Sequence, residues 1–192
     1  MTVDAWLDGR DGAPPLDQCA VLFVSTSLSA VLDEDPPAGS AETCIGLLVT
    51  SAALADRYKL QPVASLHRPL RSGSENLNHA LTYAFRWGDV TLDSLGAAWT
   101  TGFDGETVGP LHAAMSHVGT GTPRDDPLPE FDLDRTVGRA GQSAGWLAAT
   151  CAVLRAAECA TPQLVAQRID EQTIVAVVTT GDHESNNTRT SA

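Results

Sequence analysis

Aromatic and basic residues are both scarce in this chain of 192 residues. Only 5% of the residues are aromatic although 43% are hydrophobic, so we expect a core built mainly from Ala, Val and Leu. Twelve Lys and Arg residues stand against 24 acidic ones, which gives a formal net charge of -12. Nucleic acids and anionic membranes are bound by basic clusters, and the nearest candidate is His67, Arg68 and Arg71. We therefore expect neither partner.

Targeting and membrane-spanning segments are also missing from the sequence. Residues 1–15, MTVDAWLDGRDGAPP, carry acids where a signal peptide has a basic region and an apolar run. No apolar run approaches the length of a transmembrane helix. The sequence predicts a soluble, cytoplasmic protein.

Cysteine pairs with redox or metal-binding spacing are absent as well. The four cysteines are Cys19, Cys44, Cys151 and Cys159, and they form neither a CxxC pair nor a zinc pattern. We expect free, buried thiols that react slowly. Residues 182–184, Asp-His-Glu, could offer metal ligands, but a flexible terminus has no preformed ligand geometry. No metal and no cofactor are expected.

Apolar runs alternate with helical patterns along the chain. The predicted strands are residues 19–25, 43–50, 62–66, 93–101 and 173–180. The predicted helices are residues 51–60 with Ser51 as N-cap, 75–87, 105–117 and 143–157. This order predicts an α/β fold in which helices flank a mixed five-stranded sheet. Because the strand runs are continuously apolar, both sheet faces should be covered.

Three stretches, in order, resemble β-ketoacyl synthases of fatty-acid and polyketide pathways. Residues 42–66, ETCIGLLVTSAALADRYKLQPVASL, resemble a glycine, strand, short helix and strand passage of that family. Residues 80–106, ALTYAFRWGDVTLDSLGAAWTTGFDGE, resemble its helix, Gly-x-x-x-x-Asp-Ile-Asp turn and strand. Residues 137–156, VGRAGQSAGWLAATCAVLRA, resemble its Gly-His-x-x-Gly-Ala-Ala-Gly helix start. The stretches cover most of residues 41–178.

The resemblance implies one half of a thiolase-like layered fold, whose usual architecture has two similar halves. This chain would supply the last strands of the first half and nearly all of the second. It would form a single domain over residues 1–192. That domain would consist of an N-terminal strand and loop segment (1–41), a core like the ketosynthase C-terminal half (42–181) and a flexible tail (182–192).

The catalytic residues implied by the resemblance are missing. The family's nucleophilic cysteine precedes the matching region, and its first histidine ends an Ala-His-Gly-Thr strand. Ala98 occupies that place here. The second histidine follows a glycine, and here Arg139 follows Gly138. Arginine donates hydrogen bonds but cannot accept a proton. The resemblance therefore predicts a catalytically degenerate chain that does not catalyse condensation on its own.

Other histidines offer alternatives. Residues 117–123, His-Val-Gly-Thr-Gly-Thr-Pro, come close to a His-Gly-Thr-Gly-Thr-Pro motif of the family, but Val118 interrupts it and a Gly/Thr/Pro turn explains it too. His79 and His112, on predicted helices, are interpreted as partly buried packing residues rather than bases, since no nucleophile lies at a suggestive spacing.

The helix predicted over residues 143–157 is apolar or small on every side, with Arg155 its one charge, which is typical of a helix buried all round. In the family this helix lies in the central layer between the two halves. An interface with a first-half chain or a second copy is therefore predicted at Trp146, Leu147, Cys151 and Leu154. Cover by the chain's own residues 1–41 is the alternative.

Three functions remain open. The first is a non-catalytic ketosynthase-like partner or structural subunit beside polyketide or fatty-acid synthesis, as a homodimer or with a ketosynthase-like chain, and in contact with an acyl carrier protein. The second is one subunit of a split ketosynthase acyltransferase, with Arg139 and the end of strand 93–101 lining the site and the cysteine supplied by another chain. The third is a thiolase-fold adaptor of an unrelated apparatus such as protein secretion.

Overall fold

The computed structural model describes residues 16–29, 35–119 and 127–181. The predicted flexible tail with its Asp-His-Glu segment lies outside the described residues. So do residues 120–123 of the alternative histidine motif and residues 1–15 and 30–34 of the N-terminal segment.

Strands and helices alternate along the described chain. They are β1 (Val21–Ser27), β2 (Thr43–Val49), α1 (Ala52–Tyr58), β3 (Ala64–Leu66), β4 (Leu70–Gly73), α2 (Leu77–Gly88), β5 (Ala97–Thr101), α3 (Val108–Val118), β6 (Glu130–Asp132), α4 (Leu133–Thr136), α5 (Ala144–Cys159), β7 (Gln163–Ile169) and β8 (Gln172–Thr180). Ser51 caps α1 as predicted, since its Oγ accepts a hydrogen bond from the Leu54 N–H at 3.1 Å. Pro110 lies in the first turn of α3, where no intrahelical N–H is lost.

The larger sheet has six strands in the order β3-β8-β7-β5-β6, with β4 also paired to β8. Strand β5 runs parallel to β6 and β7, whereas β8 runs antiparallel to its partners. Strands β3 and β4 pair with different stretches of β8, so the sheet is five strands wide. The predicted mixed sheet flanked by helices is confirmed.

Two of the five predicted strands do not join this sheet. Strands β1 and β2 pair only with each other, antiparallel, from Val21 opposite Val49 to Ser27 opposite Thr43. The larger sheet is completed instead by β4, β6 and β7, which the sequence pattern did not reveal. Two glutamines and an arginine interrupt the apolar run of β7.

The hairpin β1–β2 also corrects the expectation that both strand faces are covered. Its residues alternate between covered and exposed positions. On the outward face Leu22, Val24 and Leu48 are 66%, 57% and 73% exposed. The inward face carries Phe23 and the buried Ile45. The continuous apolar run therefore does not indicate burial on both sides here.

The elements stack in four layers. Helices α2 and α3 cover one face of the larger sheet, where Leu81 and Leu111 pack with Leu164 and Val177. Helix α5 covers the other face. The hairpin lies against the far side of α5, where the rings of Phe23 and Trp146 are 4.0 Å apart at 36°.

Close approach of α5 to the larger sheet depends on small residues. Ala148, Ala152 and Ala156 are spaced one turn apart, are fully buried, and pack against Val165 and Val178. Side chains at i and i+4 lie on one helix face, so this alanine stripe forms the fully buried part of the contact, and Leu147, Cys151 and Val153 pack beside it. The large ring of Trp146 lies on another face of α5, toward the hairpin.

Trp146 should therefore matter far more to stability than another tryptophan in a helix. We expect Trp146→Ala to lower the free energy of unfolding by about 2–4 kcal/mol, because it removes the ring between the hairpin and α5. The matched Trp87→Ala, at an outward and 42% exposed position on α2, should cost under about 1 kcal/mol. Urea denaturation of both variants measures this, and equal losses would contradict the docking of the hairpin.

Candidate functional site

The structure buries Ala98, the residue that the resemblance predicts at the place of the family's first histidine. It is 1% exposed and packs in the core under α2 and α3. In register it lies between Glu130 of β6 and Leu164 of β7. A side chain at this position faces the outer helices and is enclosed in the core between them and the larger sheet.

Polar contacts fix the end of β5 just beyond Ala98. The buried Thr100 hydroxyl donates to Glu130 Oε1 at 3.2 Å. His112 of α3 lies with Nε2 2.7 Å from Glu130 Oε2. The Thr101 hydroxyl donates to Asp134 Oδ1 at 3.0 Å. These contacts tie β6, α3 and α4 to the strand end, a positioning role.

His112 corrects one expectation of the sequence. Its side chain is 52% exposed and forms an ion pair with Glu130 when protonated, so it is a surface residue that joins α3 to the sheet edge rather than a packing residue. His79 is also exposed. Sequence spacing could not identify the partner of His112, because Glu130 lies 18 residues away on an edge strand.

The loop after β5 ends in a turn at Asp104 that leads into α3. The Thr107 hydroxyl donates to Asp104 Oδ1 at 2.7 Å, and the N–H groups of Thr107 and Glu106 donate at 2.8 and 3.0 Å. The Thr107 hydrogen bonds hold the pKa of the Asp104 carboxyl below its usual value. Asp104 therefore stays a carboxylate that organises the start of α3 rather than a general acid.

Arg139, predicted from the resemblance to stand at the place of the family's second histidine, joins the loop before β2 to the approach to α5. Its N–H donates to Gly39 O at 2.8 Å, and its C=O accepts from the Ala41 N–H at 3.0 Å. The exposed guanidinium lies 3.5 Å from Ala38 O. The preceding Gly138 has φ +100°, and a Cβ there would lie 3.1 Å from Gly39 O, so only glycine suits this contact.

A serine pair holds the hairpin at the start of α5. Ser25 Oγ and the fully buried Ser143 Oγ are 2.8 Å apart. Both Ser143 and Arg139 lie on the α5 side of the larger sheet, whereas Ala98 faces α2 and α3. The structure therefore does not bring Ala98 and Arg139, the two positions predicted to be degenerate, together on one surface.

The four predicted interface residues of α5 have different surroundings. Trp146 packs on Phe23 of the chain's own hairpin. Leu147 and Cys151 are partly buried and pack against the core between α5 and the larger sheet. Leu154 is 60% exposed. Residues 16–29 thus provide the cover of Trp146, and an interface with another chain stays a prediction for the exposed end of α5.

Other kinds of site are weakly represented in the described part of the chain. It contains no group of three or more metal-ligating side chains. No helix among these residues has the length and apolarity to span a bilayer. An open depression of about 380 Å³ lies at the β7–β8 turn, lined by Arg71, Ile169, Asp170, Glu171 and Gln172. Ile169 is five residues along β7 from the partner of Ala98, or roughly 17 Å.

Solved structures provide the comparisons that bear on the fold. An oxazolomycin ketosynthase domain of Streptomyces albus JA3453 is 14% identical, with a TM-score of 0.68 over 95% of this chain and 61% of its own. The ishigamide ketosynthase/chain length factor is 21% identical, with a TM-score of 0.57 over 91% and 51%. A type II polyketide ketosynthase in complex with its acyl-carrier protein is 10% identical, with a TM-score of 0.58 over 84% and 50%.

These likenesses confirm the predicted thiolase-like fold of the ketosynthase kind. The chain spans between half and about three fifths of the length of these structures. No family model matches the sequence, and no curated protein matches it either. At such low identity the comparisons carry the fold and not the activity.

The burial of Ala98 generates a prediction. Ala98→His should leave the chain without condensing activity and lower the free energy of unfolding by about 1–3 kcal/mol, because the ring overfills the core under α2 and α3. Ala113→His, at an exposed position of α3, is the matched control and should be nearly neutral. An active or fully stable Ala98→His variant would show that the site is open.

The cysteines generate a second prediction, since the expectation of four buried thiols is wrong. Cys44 and Cys159 are exposed, and Cys19 and Cys151 are partly buried. Desolvation raises the pKa of the Cys151 thiol, which lowers its reactive thiolate fraction. We expect a thiol reagent to modify Cys44 and Cys159 rapidly and Cys151 only after denaturation, as peptide mapping would show. Fast modification of Cys151 in the folded chain would refute this.

Proposed function

We propose that this chain is a non-catalytic, ketosynthase-like subunit that works beside a ketosynthase in polyketide or fatty-acid synthesis. The fold supports the class of protein. Among the compared structures, one is a ketosynthase/chain length factor and another is a ketosynthase in complex with its acyl-carrier protein and bound to a hexaketide. These descriptions make a ketosynthase-like chain and an acyl carrier protein the partners to test.

The observation that carries the proposal is the burial of Ala98. Decarboxylative condensation requires a cysteine thiolate and donors that stabilise the developing enolate and oxyanion. The methyl group of Ala98, buried under α2 and α3, donates no hydrogen bond, and Arg139 cannot accept a proton. This chain therefore supplies structure to a partner rather than the reacting groups.

A split ketosynthase is the second candidate, and one observation favours it. Arg139 is an exposed donor near the start of α5, at the place of a catalytic histidine, so a cysteine from another chain could in principle work beside it. In that case Arg139 would touch the reacting acyl group. The adaptor hypothesis would assign this chain no part in condensation at all.

One reconstitution separates these functions. The ketosynthase-like chain encoded nearest to this one is purified with and without it and supplied with acyl and malonyl carriers, and the products are measured by mass spectrometry. We expect no carbon–carbon bond formation by this chain alone and a change in product length or rate when it joins the ketosynthase. Arg139→Ala should leave turnover unchanged, since the residue only joins loops.

The other outcomes each decide against the proposal. Condensation by the isolated chain would refute its non-catalytic status. Loss of turnover in Arg139→Ala, with the complex intact by gel filtration, would favour the split enzyme. No complex with the ketosynthase-like chain and no effect on its products would favour an adaptor outside acyl-chain synthesis.

A further inference from the structure

We draw no further inference here: the strongest candidate, the exposed apolar face of the hairpin β1–β2 with Leu22, Val24 and Leu48, carries none because nothing in the described part of the structure shows what covers it.

Discussion

Helix α5 can lie between two β layers because its two buried faces carry side chains of different size. The face toward the larger sheet is a stripe of alanines, including Ala148 and Ala152, that lets the backbones approach closely. The face toward the hairpin carries Trp146, whose ring reaches out to Phe23. Exchanging the two would separate the helix from the sheet and leave the hairpin without an anchor. The layered architecture follows from this division.

The same arrangement supports the proposal that the chain is non-catalytic. Strand β5 ends in the region where the resemblance predicts a histidine. The Ala98 side chain faces the outer helices, and the Thr100 hydroxyl donates a hydrogen bond to Glu130. On the α5 side, Arg139 is held by main-chain bonds to the loop before β2. The polar groups at both places hold elements together.

The sequence predicted those parts of the fold that depend on strong local patterns. Helices α2 and α5 and strand β8 each have a long apolar stripe or run, and the resemblance supplied the layer order. Strand β7 was not predicted because its first residue, Gln163, is polar, although the structure buries it fully. In the fold the Gln163 amide accepts a hydrogen bond from Trp99 Nε1 at 3.1 Å and donates one to Thr161. Its polar group is therefore satisfied inside the core, which the local sequence pattern does not reveal.

The site was less predictable than the fold. Ala98 and Arg139 were named from sequence, but their placement on different sides of the larger sheet depends on which face each strand and loop presents, and one residue of register decides that. The exposure of the outward face of the hairpin could not be predicted for the same reason, since residues 21–27, VLFVSTS, contain no polar residue before Ser25. Alternation could be recognised only after the inward partner, α5, was known.

The docking of the hairpin on α5 is tested most directly by a double-mutant cycle of Phe23→Ala and Trp146→Ala, measured by denaturant unfolding. If the two rings pack at a tilt as the structure has them, their coupling energy should be about 0.5–1.5 kcal/mol beyond the sum of the single effects. A coupling energy indistinguishable from zero, with both single variants folded, would contradict the layered account.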